Sequence, residues 1–167
     1  MIIGKNSKMP LLKKEKVLSN KSLFLKICSF CAYQERTQNE VRSRLHDYGA
    51  DEDLTEELIA ELITENFINE ERFARTYAGS KFRLKKWGRN KITKELENKE
   101  ISPYCIRKGL EEIDSTDYTK TLKALLDKKN EEEKEPNLYK RKYKLSLYAI
   151  RKGYEPELVW ETINDLF

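Results

Sequence analysis

Three cysteines and a single histidine are the first residues to test for chemistry, because they provide the reactive thiols and the imidazole. Cys28 and Cys31 form a Cys-x-x-Cys pair, the spacing of redox dithiols and of half a zinc site. A redox motif would need a preceding strand, and a zinc site would need a second ligand pair, which Cys105 and His46 do not form. Both cysteines fall on the apolar side of a predicted helix, so we interpret them as small buried side chains.

Catalytic motifs give no stronger signal. The sequence has no Walker loop, no His-Glu-x-x-His and no Gly-x-Ser-x-Gly. His46 follows an inward-facing leucine and is expected to cap the end of its helix. We therefore predict a protein that is not an enzyme and that has no catalytic residue, no metal site and no cofactor.

The charged residues are segregated along the chain, although the net charge is only +4. Asp51 to Glu71 contains nine acidic residues and no lysine or arginine, whereas residues 79–94 and 139–154 contain no acid. If successive units stack in register, the two basic runs form one positive strip that suits phosphates or an acidic protein surface. A merely solvated face is the alternative. The predicted strip comprises Lys81, Arg83, Lys85, Lys86, Arg89, Lys91, Lys94, Lys140, Arg141, Lys142, Lys144, Arg151 and Lys152.

Aromatic residues lie among these basic runs, and two roles remain open for them. Exposed rings would stack on bases, whereas Trp87 and Tyr143 also fit the apolar seams of helices. The others are Phe82 and Tyr148.

The elements that must position these residues are helices. Hydrophobic residues make up 38% of the chain and charged residues 37%, and only four prolines interrupt it, which favours slender helical units. Helix starts are predicted at Thr37, which opens a capping box, at Asn69, and at Ser102 followed by Pro103. The apolar pattern recurs at intervals of about fifty residues. These observations predict an all-α fold of three tandem three-helix repeats, stacked into an elongated, curved array.

The predicted boundaries are a flexible basic arm over 1–20 and repeats over 21–68, 69–113 and 114–167. No apolar run is long enough for a membrane span, and the first residues lack the apolar core of a secretory signal. We expect a cytoplasmic protein, a monomer without a membrane partner.

Three ordered motifs resemble the RecX family. They are RTQNEVRSRLHDYG over 36–49, FINEERFA over 67–74 and KWGRNKITKELENKEI over 86–101. The similarity runs from about residue 21 to the end of the chain. It departs from the family pattern at Glu100, where a glycine is usual, at Asn69, where an aspartate is usual, and in a long loop predicted over 127–138.

The resemblance implies a protein without enzymatic activity that binds the RecA–DNA filament in its groove. It would restrain ATP hydrolysis, strand exchange and the stimulated self-cleavage of the SOS repressor. Single-stranded DNA would then be contacted directly or through the filament. On this hypothesis the basic strip anchors the protein, Phe73 packs the joint between units, and Arg72 ties the acidic helix to it. The competing classes are an independent helical nucleic-acid-binding protein and a scaffold for another acidic protein.

Overall fold

A computed structural model describes residues 19–167, and over this range the chain forms nine α-helices and no strand. The all-α prediction is therefore confirmed. The predicted arm over 1–20 lies outside the described residues except for Ser19 and Asn20, which cap and begin the first helix. The helices are α1 (Asn20–Tyr33), α2 (Gln38–Asp47), α3 (Glu52–Thr64), α4 (Glu70–Lys85), α5 (Arg89–Asn98), α6 (Pro103–Leu110), α7 (Ser115–Glu132), α8 (Leu138–Lys152) and α9 (Pro156–Leu166).

Local side chains start the helices where the sequence predicted. The Thr37 hydroxyl accepts from the Glu40 N–H at 3.1 Å, and a Glu40 carboxylate oxygen accepts from the Thr37 N–H at 3.3 Å. Asn69 and Ser102 accept in the same way at the starts of α4 and α6. The loop predicted over 127–138 is shorter than expected, because α7 continues to Glu132.

The apolar side chains form two separate cores. The first repeat, α1 to α3, has a core of its own that includes Ile27, Leu45 and Leu62. The second and third repeats share a single core that extends from Phe73 to Ile163. The second and third repeats are thus one packed unit of six helices.

The second and third repeats make close backbone contact at two glycines, Gly88 and Gly153. The Gly88 N–H donates to the Lys152 carbonyl at 2.8 Å, and the Asn90 N–H donates to the Gly153 carbonyl at 3.0 Å. A Cβ at Gly88 would lie 2.2 Å from the Gly153 carbonyl carbon and oxygen. Gly153 itself has a φ of +97°, which favours glycine. Only a residue without a side chain fits at Gly88.

Polar contacts join the first repeat to the second. Arg72 Nε donates to Glu35 at 2.6 Å, and Lys99 Nζ lies 3.1 Å from Glu40. Glu100, which replaces the glycine usual in the motif, still adopts the left-handed φ of +60°. Its carboxylate accepts from the Asn39 side chain at 2.6 Å. Glu100 in place of the usual glycine therefore keeps the left-handed backbone at the end of α5 and adds a hydrogen bond between the first and second repeats.

The Cys-x-x-Cys pair lies on the core side of α1. Cys31 is buried, and Cys28 is partly buried against the same core. Burial raises the pKa of the Cys31 thiol to about 11, so that thiol remains protonated near neutral pH. The interpretation as small core side chains is confirmed for Cys31, whereas Cys28 is only half-buried.

Candidate functional site

The residues of the predicted basic strip lie in five different surroundings. Lys81 and Lys91 lie against Trp87, with their Nζ atoms 5.3 Å and 4.5 Å from its ring. Lys81 is also 4.9 Å from the Tyr77 ring. Trp87 is half-buried against the shared core, so this ring is sandwiched between cations and the core.

Arg89 belongs to a network inside the fold. Its guanidinium lies 4.0 Å from the Tyr118 ring centroid and 3.9 Å from Glu155. Its backbone N–H donates to the Tyr118 hydroxyl at 2.9 Å, and that hydroxyl donates to Glu155 at 2.6 Å. Burial, followed by the bond to Glu155, raises the pKa of Tyr118. Arg89 therefore holds α5 against α7 and α9, a structural role that the sequence alone did not indicate.

The beginning of α8 faces the acidic segment that precedes it. Lys144 Nζ lies 3.1 Å from Glu133 and 3.5 Å from Glu135, and Arg141 Nε donates to the Glu135 carbonyl at 2.7 Å. The hydrogen bond with Glu133 raises the pKa of Lys144. Of the two roles left open for Tyr143, a place in the apolar seam is wrong: its side chain is 52% exposed, because α8 buries Leu145, Ser146 and Ala149 instead. Lys140 and Lys142 lie on the same turns of α8, exposed and half-buried respectively.

A groove between α4, α7 and α8 brings three further strip residues together. Its volume is about 660 Å³. Three residues of the predicted strip line this groove: Arg83, Lys86 and Lys152. Apolar atoms of Phe82, Leu125 and neighbouring residues line it, although Phe82 is buried and unavailable for stacking. The groove residues are Phe82, Arg83, Lys86, Asp117, Lys120, Thr121, Ala124, Leu125, Lys128, Lys129, Glu132, Tyr148 and Lys152.

Sequence reasoning missed the three lysines that α7 contributes to this groove, Lys120, Lys128 and Lys129. Asp117, Asp127 and Glu131 interrupt this part of the sequence, so a search for acid-free basic runs passes over these lysines. The signal lies in the helical period, because positions 117, 120, 121, 124, 125, 128, 129 and 132 lie on one face of α7. On this face of α7, Lys120 lies at one end and Lys128 and Lys129 at the other, with Ala124 and Leu125 between them.

The other residues of the strip do not line the groove. Lys85, Lys94 and Arg151 all have exposed side chains. The Lys152 ammonium lies 3.5 Å from the Lys85 carbonyl, so the ends of α4 and α8 meet there. The two basic runs thus touch at this point, although Arg89 and Lys144 within them are paired with carboxylates.

Arg72 and Phe73 lie at the joint between the first and second repeats. Besides Glu35, the Arg72 guanidinium binds the Asn66 side chain at 3.1 Å and the Asn66 carbonyl at 3.0 Å. Phe73 is buried in the shared core, with its ring stacked 5.8 Å from that of Tyr77. Both contacts start from the first turn of α4.

Across residues 19–167, no group of three or more histidine, cysteine, aspartate or glutamate side chains is placed to hold a metal ion. None of the helices described there has the length and apolarity needed to cross a membrane.

Fold and surface together define a class: a tandem array of three-helix repeats with a cationic groove. Family models agree with the three-helix repeats, since the second three-helix domain of RecX matches residues 69–110 and the third matches residues 116–163. The chain belongs to the RecX family.

Individual relatives extend the similarity. The chain is 36% identical over 121 residues to the regulatory protein RecX of Clostridium perfringens strain SM101, covering 71% of this chain and 56% of the relative. It is 24% identical over 143 residues to that of Bacillus cereus strain B4264, covering 86% and 53%. The chain thus spans little more than half the length of these relatives.

Solved structures share the fold. The crystal structure of RecX from Lactobacillus salivarius aligns with a TM-score of 0.81 at 20% identity, over 88% of this chain and 96% of the other. A second crystal structure of regulatory protein RecX aligns with a TM-score of 0.76 at 21% identity, over 87% and 73%. At these identities the likeness concerns the fold alone.

Proposed function

We propose that this protein is a non-enzymatic regulator that binds the RecA–DNA filament in the helical groove of the filament. It inhibits RecA ATP hydrolysis, strand exchange and the self-cleavage of the SOS repressor that RecA stimulates. Membership of a family of regulatory proteins, matched through its second and third repeats, carries this proposal.

The placement of charge supports the same assignment. The second and third repeats form one packed unit, and its basic side chains are exposed at the ends of α4 and α8. A packed unit presents its charges in a fixed arrangement, which suits contact with several protomers of a helical polymer. Binding changes the behaviour of the filament only if one filament state is bound more tightly than another.

A titration of RecA-coated single-stranded DNA tests the proposal, with ATP hydrolysis as the readout. We expect hydrolysis to fall as the unmodified protein is added. The double variant Lys85→Glu and Lys86→Glu should need roughly tenfold more protein or more for the same effect, since like charges facing each other at an interface are costly. Arg89 is left unchanged, because it supports the fold through Tyr118.

Lys123→Glu provides the matched control, since this lysine is exposed on α7 and does not line the groove. It should inhibit like the unmodified protein. Undiminished hydrolysis at saturating unmodified protein would refute the proposed function. The alternative, a nucleic-acid-binding protein that acts without RecA, is favoured if bare DNA is bound while the filament is unaffected.

A further inference from the structure

The groove gathers six basic side chains in one place with few acidic partners. Of the six basic residues that line it, only Lys129 has a carboxylate within 4 Å among residues 19–167, that of Glu132 at 3.3 Å. Elsewhere Arg42, Arg75 and Lys108 all pair with glutamates at 3.0 Å or less. Asp117 and Glu132 also line the groove, so six basic and two acidic side chains leave an excess of positive charge there. Like charges gathered with too few counterions repel each other, so this groove is suited to a polyanion.

The spacing along α7 fits a chain of phosphates. Lys120 and Lys128 are eight residues apart on one face, about 12 Å along the helix axis. At the rise of about 3.4 Å per nucleotide of a stacked strand, this length corresponds to three or four nucleotides. Arg83 and Lys86 line the α4 side of the groove, so the backbone of a strand would be contacted from both sides.

Tyr148 provides a surface for a base. Its ring lines the groove, is partly exposed and lies 5.6 Å from the Lys129 ammonium and 5.9 Å from that of Lys152. An aromatic face beside cations is the arrangement that stacks unpaired bases in proteins that bind single strands. A duplex keeps its bases stacked inside, so it cannot use this ring. An acidic helix would pair with the lysines but has no planar group for Tyr148.

We propose that the groove between α4, α7 and α8 binds single-stranded nucleic acid, with phosphates on Lys120, Lys128 and the α4 cations and one base on Tyr148. This inference deepens the proposed function by assigning a ligand to one part of the basic surface. It requires no partner protein, so the isolated chain binds a bare strand.

Fluorescence anisotropy of a labelled oligothymidylate tests the site, with a duplex of equal length in parallel. We expect tighter binding of the single strand and a loss of affinity with salt. The double variant Lys120→Ala and Lys128→Ala should bind more weakly, with a salt slope shallower by about 1.4, because each phosphate contact on a single strand contributes about 0.7. Lys123→Ala, on the same helix outside the groove, should leave affinity and slope unchanged.

Tyr148→Leu separates stacking from charge. It should lower the affinity about tenfold or more without changing the salt slope, because it removes a stacked base and no phosphate contact. Thermal unfolding followed by circular dichroism verifies that each variant is folded. A groove variant that proves unfolded is replaced by Lys128→Gln, which removes the charge and keeps most of the side chain.

Three results would overturn this inference: no binding of the bare strand, equal affinity for the duplex, or groove variants that bind the strand like the unmodified protein. If groove variants lose filament inhibition but keep strand binding, the groove holds an acidic protein surface and the proposed function stands. If the strand is bound through the groove but RecA hydrolysis is unaffected, the proposed function fails and the strand site stands.

Discussion

Gly88→Ala is the substitution whose effect follows most directly from the geometry. The added Cβ would lie 2.2 Å from backbone atoms of Gly153 and 2.3 Å from the Tyr154 nitrogen. Backbone cannot rotate away as a side chain can, so the α4–α5 turn must move off the α8–α9 turn. This movement breaks two hydrogen bonds, one to the Lys152 carbonyl and one to the Gly153 carbonyl.

The magnitude can be worked from these contacts. Overpacking costs about 1–3 kcal/mol, and two hydrogen bonds contribute about 0.5–1.5 kcal/mol each. The expected loss is therefore about 2–6 kcal/mol in the unit formed by the second and third repeats. In a unit of this size it lowers the melting temperature by roughly 10 °C or more.

Differential scanning calorimetry measures this effect, and Gly79→Ala serves as the matched control. The three atoms nearest to a Cβ at Gly79 all belong to the Arg83 guanidinium, at 2.8 to 3.1 Å, the far end of a flexible side chain that can shift. Alanine also favours the interior of α4 by about 1 kcal/mol, so the control should be at least as stable as the unmodified protein. Equal melting temperatures for the Gly88 and Gly79 variants would refute the reasoning.

Two further predictions concern buried groups. Tyr118→Phe should cost about 1–3 kcal/mol in urea unfolding, because Arg89 and Glu155 lose their shared partner. Tyr154→Phe should cost nothing, because its buried hydroxyl has no partner among residues 19–167; a larger loss at Tyr154 than at Tyr118 would contradict this. Burial raises the pKa of both tyrosines and that of Cys31, the last to about 11. These buried groups therefore contribute their full stability below the pKa that each has in the unfolded chain, about 8.5 for a thiol and about 10 for a phenol. That contribution to the free energy of unfolding is lost as the pH rises above those pKa values. Urea unfolding across alkaline pH should show this decline, with Cys31→Ala removing the earlier onset; a stability that rises above pH 10 would disprove it.

Local rules were enough to predict the helices. Thr37, Asn69 and Ser102 start helices because a short polar side chain before an apolar period satisfies a free backbone N–H. These signals depend on neighbouring residues alone. The sequence reading therefore located the helix starts and the all-α class without tertiary information.

The site was harder to predict because it depends on which faces meet. Lys128 and Lys152 line one groove only because α7 and α8 pack side by side. Acids such as Asp117 and Asp127, close to the α7 lysines in sequence, hid the face that those lysines share. Arg89 looked like a member of a basic run, yet Tyr118 and Glu155, distant in sequence, bind it into the fold. A run of basic residues in the sequence shows only which residues are present. Which of them share one binding surface depends on how the helices pack.

The two separate cores have a consequence for how such a sequence can evolve. Apolar side chains between Leu23 and Ile68 pack with one another, and those between Phe73 and Ile163 form the other cluster. A substitution in one cluster is compensated by a neighbour in the same cluster. Correlated substitutions among descendants of this sequence should therefore fall into two blocks, with the polar pairs of Arg72 and Glu35 and of Lys99 and Glu40 as the positions that covary between them. The first repeat can then drift in sequence at its own rate while the other two change together.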